Sequence, residues 1–67
     1  MEYTVAIGMG HKEKYAAAKL TEEVNRLLED GWKPQGGVTV DVEYIQERTT
    51  YNATEKFVTY AQSMVRD

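Results

Sequence analysis

A glycine-flanked segment near the start of the chain has the residue types that could bind an anion. Gly8-Met9-Gly10-His11-Lys12 lies between an alternating, strand-like stretch and a helical one. Free N–H groups and the dipole at a helix N-terminus favour negative charge there. Lys12 and Lys14 would add positive charge and His11 a hydrogen bond, which suits a phosphate or a nucleotide. The segment lacks the Walker Lys-Ser/Thr arrangement and the three-glycine dinucleotide pattern, so a purely structural turn is the alternative.

Aromatic and arginine side chains elsewhere could complete such a site. The ring of Trp32 could stack on a base or fill the open end of the core. Tyr51 lies in a polar run, so a ligand contact and simple exposure both stay open. Arg48 could pair with a phosphate across a subunit boundary or form a surface ion pair. The candidate ligand-binding residues are Gly8, Gly10, His11, Lys12, Trp32, Arg48 and Tyr51.

The sequence holds no set of residues that predicts catalysis or metal binding. Asp41 and Glu43 are two apart on one strand face, but a solvated face does not separate two carboxyl pKa values as acid–base catalysis requires. His11 has no evident Ser, Cys or Asp partner, and one His without any Cys does not predict a metal centre. We therefore expect a protein that is not an enzyme and that has no metal or cofactor.

A strand and a helix are predicted to flank the glycine segment. Residues 3 to 7 alternate with the period of a strand, which the glycines at positions 8 and 10 are expected to end. Residues 12 to 30 predict an amphipathic helix, because apolar residues recur at three- and four-residue steps. This stripe consists of Ala16, Ala17, Leu20, Val24, Leu27 and Leu28. Gly31 suits the positive-φ position after the helix, and Pro34 lies just beyond it.

The second half of the chain predicts a long β-hairpin. Alternation from Val38 to Tyr44 indicates a strand that could continue to Thr49. A turn is predicted at residues 51 to 54, followed by a strand from Lys56 to Arg66 with two semi-apolar faces. Of the sheet's two faces, one is expected to carry the helix and the other to be uncovered. The residues expected on the uncovered surface, available for self-association, are Val58, Tyr60 and Met64.

The predicted fold is therefore α+β, as one βαββ domain over residues 1–67. It has a small three-stranded sheet with one helix on one face. A chain of this length buries only about 60% of its unfolded surface, and without Cys it has no disulfide to add stability. Oligomerisation is the remaining way to stabilise so short a chain, so we expect a homo-oligomer.

Composition limits the partners and the compartment. The chain has 8 Lys and Arg against 11 Asp and Glu, a net charge of -3, which disfavours binding along a nucleic-acid polymer. No run approaches the roughly 20 apolar residues of a membrane span, and the first residues show no signal-peptide pattern. The sequence therefore predicts a cytoplasmic protein that binds neither nucleic-acid polymers nor membranes.

Two short motifs carry a resemblance. The first runs from Gly31 to Gly37 with the letters GWKPQGG, and the second from Tyr60 to Val65 with the letters YAQSMV. The chain resembles, over residues 15 to 65, a family of short bacterial and phage domains of unknown function. The resemblance implies a strand, a helix ending in a Gly-aromatic pair, and two further strands, in a bacterial or phage setting but with no assigned activity. Residues 43 to 55 are longer than the connection expected in that family, so the hairpin tip is specific to this chain.

Together these features predict a small non-enzymatic homo-oligomer that binds a partner or an anionic ligand at a subunit boundary. In a phage setting such a protein could act as a sponge for immune evasion. It would sequester a nucleotide signal with phosphates on backbone N–H groups and bases on aromatic rings. The alternative is a protein-interaction or inhibitor module that docks through the hairpin or a sheet edge.

Overall fold

The computed structural model describes residues 1–46 and 54–67, which form one helix and a four-stranded antiparallel sheet. The elements are β1 (Glu2–Gly10), α1 (Glu13–Glu29), β2 (Lys33–Pro34), β3 (Thr39–Gln46) and β4 (Thr54–Arg66). The α+β class with one helix is confirmed, but the sheet has four strands where the sequence predicts three. The added fourth strand, β2, has only two residues. Residues 51 to 53 of the predicted turn lie outside the described residues, and the last residue of that turn, Thr54, is the first residue of β4.

The last strand lies in the middle of the sheet. β1 pairs with one edge of β4, from Glu2 opposite Arg66 to Gly10 opposite Val58. β2 and then β3 pair with its other edge. The final four β3–β4 pairs extend beyond the end of β1, as a two-stranded ladder. The molecule is accordingly elongated, with extents of 52 × 17 × 15 Å and a Cα radius of gyration of 14.8 Å, against about 11 Å for a compact domain of this length.

The helix lies across β1 and β4 and covers a small core. From the predicted stripe, Ala16, Leu20 and Leu27 are buried and Val24 is half-buried, whereas Ala17 and Leu28 are exposed. The main cluster joins the helix to both strands, and Trp32 and Tyr60 pack against it. Its buried members are Ala6, Leu20, Leu27 and Met64.

Gly8 and Gly10 lie inside β1, so the expectation that the strand ends at Ile7 is wrong. A Cβ on Gly8 would overlap the backbone of Ala16 and Leu20 in α1, and one on Gly10 would lie 3.0 Å from the nitrogen of Ala16. The missing side chains therefore allow α1 to approach β1 closely. Both glycines therefore lie in a strand that packs closely against a helix, and they do not mark a change in chain direction.

The large apolar residues of β1 lie on the face opposite α1, which we call the open face. Directly opposed residues of an antiparallel pair share a face. Since buried Ala6 is opposite Gln62, the even-numbered side chains of β4 face α1. The expected uncovered surface of Val58, Tyr60 and Met64 is therefore wrong: Val58 and Met64 are fully buried and Tyr60 is half-buried. The exposed column is instead Tyr3, Val5, Ile7 and Met9.

β3 exposes side chains on both faces. Within the described residues α1 contacts β1, β4 and β2 but not β3. Val40, Val42 and Tyr44 lie on the helix side of the sheet, since Val42 is opposite Val58, yet they remain exposed. Asp41 and Glu43 lie on the open face and are exposed, as the strand pattern predicts.

Candidate functional site

The C-terminal end of α1 is closed by a Schellman turn. The N–H of Gly31 donates to the carbonyl of Leu28 at 3.1 Å, and that of Trp32 donates to Leu27 at 3.0 Å. Gly31 has a φ of 87°, which confirms the positive φ predicted for the residue after the helix. The turn directs Trp32 back over the core, next to Leu27.

Arg66 covers one face of the Trp32 ring. Its guanidinium carbon lies 4.4 Å from the ring centroid. Nε and Nη2 donate to the carboxylate of Glu2 at 3.3 and 3.1 Å, and Nη1 donates to the carbonyl of Asp30 at 3.2 Å. A cation at a helix C-terminus is favoured by the dipole. Trp32 thus packs in the core on one side and stacks under Arg66 on the other, which agrees with the packing interpretation.

Gln62 links the segment between β2 and β3 to the central strand, β4, by hydrogen bonds. The two N–H groups of its Nε2 are shared among three carbonyl acceptors, Gln35 at 3.2 Å and Gly36 and Ser63 at 3.1 Å. Gly36 has a φ of 76°, and Gln35 N–H donates to the Ser63 carbonyl at 2.9 Å. Among described residues Gln62 is the buried polar side chain. The two motifs that carry the resemblance therefore meet here, a contact between residues about 26 apart that sequence reasoning missed.

Two shallow surface cavities lie near α1. One, of about 350 Å³, lies beside the Schellman turn and is lined by Gly31, Lys33, Val65, Arg66 and Asp67. The other, of about 420 Å³, lies along α1 and is lined by Ile7, Lys19, Glu22, Glu23 and Arg26. In the second, Arg26 pairs with Glu23 at 2.5 Å, and the pKa of Glu23 is lowered by that hydrogen bond.

The N-terminal end of α1 carries its own ion pair. Lys12 is the N-cap residue and contributes no side-chain cap, while its carbonyl accepts the N–H groups of Tyr15 and Ala16 at 3.1 Å each. The Glu13 carboxylate pairs with Lys56 Nζ at 2.5 Å. That hydrogen bond, together with one from the backbone N–H of Glu13, holds the pKa of Glu13 below its usual value. A carboxylate of the chain thus already lies at the helix end predicted to bind an anion.

The predicted ligand residues are not brought to one place. Gly8 and Gly10 face α1, whereas the His11 ring contacts Phe57 with centroids 4.5 Å apart. Lys12 and Trp32 lie at opposite ends of α1, which at about 1.5 Å per residue are roughly 26 Å apart. The remaining two predicted residues, Arg48 and Tyr51, lie outside the described residues.

Other findings bear on the class of protein. Within residues 1–46 and 54–67 no three His, Asp or Glu side chains cluster in a way that could hold a metal ion. The helix that these residues form is neither long nor apolar enough to span a lipid bilayer. Comparison of the chain with models of known families, with curated proteins and with solved structures gives no match.

Proposed function

We propose that this chain is a non-enzymatic binding protein that acts as a homo-oligomer. The observation that carries the proposal is the open face of β1, where Tyr3, Val5, Ile7 and Met9 are each more than half exposed. Contiguous apolar surface of this kind is typical of association sites. Only six apolar side chains of the described residues are buried, so the isolated protomer gains little stability from its core.

The exposed area of the protomer fits this proposal. A folded monomer of 7.7 kDa exposes about 4,300 Å² by the usual scaling with mass. This chain exposes 5092 Å². The excess of about 800 Å² is spread over an elongated chain and includes the exposed open face. Association of one copy with another through this face would bring the exposed area closer to that of an ordinary folded protein.

The titratable groups support a role without catalysis. Within the described residues, the groups with shifted pKa values belong to two ion pairs, Glu13–Lys56 and Glu23–Arg26. Both pairs are solvent-accessible, and neither is buried in a desolvated cleft. General acids and bases owe their shifts to burial or to like charges, which these pairs do not provide.

Sedimentation velocity over a wide range of protein concentration tests the self-association. We expect a single oligomeric species at high concentration and a melting temperature that rises with concentration, because association stabilises only the folded state. A folded monomer throughout, with a melting temperature that does not depend on concentration, would contradict the proposal.

The ligand class that we propose is a small anion of the nucleotide type at the N-terminal end of α1. Lys12 leaves this helix end without a side-chain cap, and Lys12 and Lys14 add positive charge next to it. The ligand would have to displace or share the Glu13–Lys56 pair. Binding without catalysis would sequester such a ligand rather than convert it.

Calorimetry with a panel of linear and cyclic nucleotides tests the ligand class. Lys12→Glu should abolish binding, whereas Lys19→Glu, the same charge change in the middle of α1, should leave it unchanged. Gly10→Val is unsuitable as a probe because its side chain would collide with α1. Equal affinity in both variants would place the ligand elsewhere, and no binding below about millimolar would remove the ligand proposal.

The second candidate function is docking of a protein partner through the projecting hairpin. Past the end of β1, the β3–β4 ladder has no third strand among the described residues, and Tyr44 is 69% exposed there. A free strand edge with an exposed aromatic residue suits strand addition by a partner. An intact oligomer that binds no nucleotide would favour this candidate.

A further inference from the structure

On the open face, a row of large side chains on β1 lies next to a row of small side chains on β4. On β1 the apolar column Val5, Ile7 and Met9 forms a ridge. The directly opposed residues of β4 are small and form a furrow next to it: Ser63, Ala61 and Thr59. Each row spans four residue steps, or about 13 Å, and neighbouring strands are about 4.8 Å apart. Ridge and furrow therefore have the same length and lie side by side.

The third column of the open face is polar. Thr39 is opposite Ala61 and Asp41 is opposite Thr59, so the β3 column continues the surface away from the ridge. Asp41 and Glu43 are exposed there. A partner that covered the whole face would bury these two carboxylates, which is costly without paired cations. The arrangement of these three rows therefore favours a partner that covers β1 and β4 and leaves β3 at the edge of the interface.

A second copy of the chain meets these requirements. A two-fold axis parallel to the strands, between β1 and β4, places the ridge of each copy over the furrow of the other. The same operation carries each β3 beyond the partner's sheet, so that Asp41 and Glu43 stay in water. The result is an isologous contact of two aligned sheets about 10 Å apart, with α1 of each copy on the outside.

We propose that the open face is the interface of a homodimer in which Val5, Ile7 and Met9 of each copy pack onto Thr59, Ala61 and Ser63 of the other. The inference rests on the self-association proposed above and names its surface. Val5, Ile7 and Met9 are each more than half exposed, so contact with a second copy would remove apolar surface of β1 from water.

Variants at the centre of the ridge and of the furrow test this interface by sedimentation. Ile7→Lys should weaken dimerisation by about 100-fold or more, since a central apolar contact is replaced by a buried charge. Ala61→Arg should have a similar effect from the opposite side of the contact. Val40→Lys is the matched control, because Val40 is equally exposed but lies on the helix side of β3. Circular dichroism would establish that each variant keeps its fold.

Cross-linking provides a second measurement that does not depend on a destabilising charge. The chain has no Cys, so single-cysteine variants carry one reactive thiol. A mixture of Ile7→Cys and Ala61→Cys should give a cross-linked dimer with a short bis-maleimide, and so should Ala61→Cys alone, whereas Val40→Cys alone should not.

The outcomes separate this inference from the proposed function. Dissociation by Ile7→Lys and Ala61→Arg, with Val40→Lys still dimeric, would support both. An oligomer that survives both open-face variants, or that only Val40→Lys dissociates, would overturn this interface and leave self-association standing. A wild-type chain that is monomeric at every concentration would overturn both.

Discussion

The two faces of β1 differ in a way that hydrophobicity does not explain. The covered face carries Ala6, Gly8 and Gly10, whereas the open face carries Val5, Ile7 and Met9. The helix lies on the side with the small residues, because only there can its backbone approach the strand. The core is completed by large side chains from α1 and β4, among them Leu20 and Met64. Steric room thus decided which face the helix covers, and the large side chains of β1 remain exposed on the other face.

The largest effect expected from this comparison is the loss of the fold in Gly8→Val. A side chain at Gly8 would meet the backbone of Ala16 and Leu20, which cannot move aside as a flexible side chain can. Overpacking costs about 1–3 kcal/mol or more, a large part of the stability of a small domain. Urea denaturation followed by circular dichroism measures the change.

The matched control is Gly37→Ala. Gly37 is exposed, has no positive φ, and a Cβ there meets nothing within 4 Å. Its free energy of unfolding should stay within about 0.5 kcal/mol of the parent. Similar stability for the Gly8 and Gly37 variants would show that α1 does not pack as closely on β1 as described.

The second prediction compares the loss of stability when one side chain on each face of the sheet is truncated. Met64→Ala removes a fully buried side chain and should cost about 2–5 kcal/mol at any protein concentration. Val5→Ala removes methyl groups on the open face, so its cost should grow with concentration, because the contact forms only on association. Chemical denaturation at two protein concentrations measures both. A cost for Val5→Ala that is independent of concentration would indicate that the open face contributes to the fold of the protomer itself.

A smaller effect is expected at Gly31, where α1 ends. A Cβ at this position would meet only Arg66 Cδ, at 3.9 Å, so the cost of Gly31→Val would come from the backbone. A β-branched residue at positive φ should lose about 1–2 kcal/mol, and Gly31→Asn less. Thermal unfolding of the two variants measures the order. An equal loss in both would show that something other than φ determines the residue at this position.

The smallest effect is the pH dependence of the Glu13–Lys56 pair, which joins α1 to β4. The hydrogen bond from Lys56 lowers the pKa of Glu13 in the folded state, so the pair adds stability above the carboxyl's usual pKa of 4.5. That contribution should disappear as the pH falls through the lowered folded-state pKa. Because both groups are accessible to solvent, the effect should be small. Comparing the parent with Glu13→Gln by urea denaturation across the acidic range measures it, and identical profiles would mean that the pair contributes nothing.

The sequence predicted the helix with its end and the three longer strands, but neither the two-residue β2 nor the extension of β1 to Gly10. The alternation of residues 3 to 7, the apolar steps of α1 and the positive φ of Gly31 depend on neighbours a few residues away, and the structure confirms them. The α+β class follows from these local patterns. Self-association, the absence of catalysis and the nucleotide ligand stay predictions, because they concern molecules other than the chain itself.

Which side chains share a surface is visible in the three-dimensional fold and not in the local sequence pattern. Gln62 bonds to Gly36, Lys56 pairs with Glu13, and Arg66 lies over Trp32, each across 26 or more residues. The period of a strand shows that its two faces differ, but either face can meet the helix. The choice depends on the volumes of α1, β1 and β4 together, which no local pattern contains. For that reason the local pattern around Gly8 and Gly10 indicates a ligand turn, whereas in the fold these glycines allow the close approach of a helix to a strand.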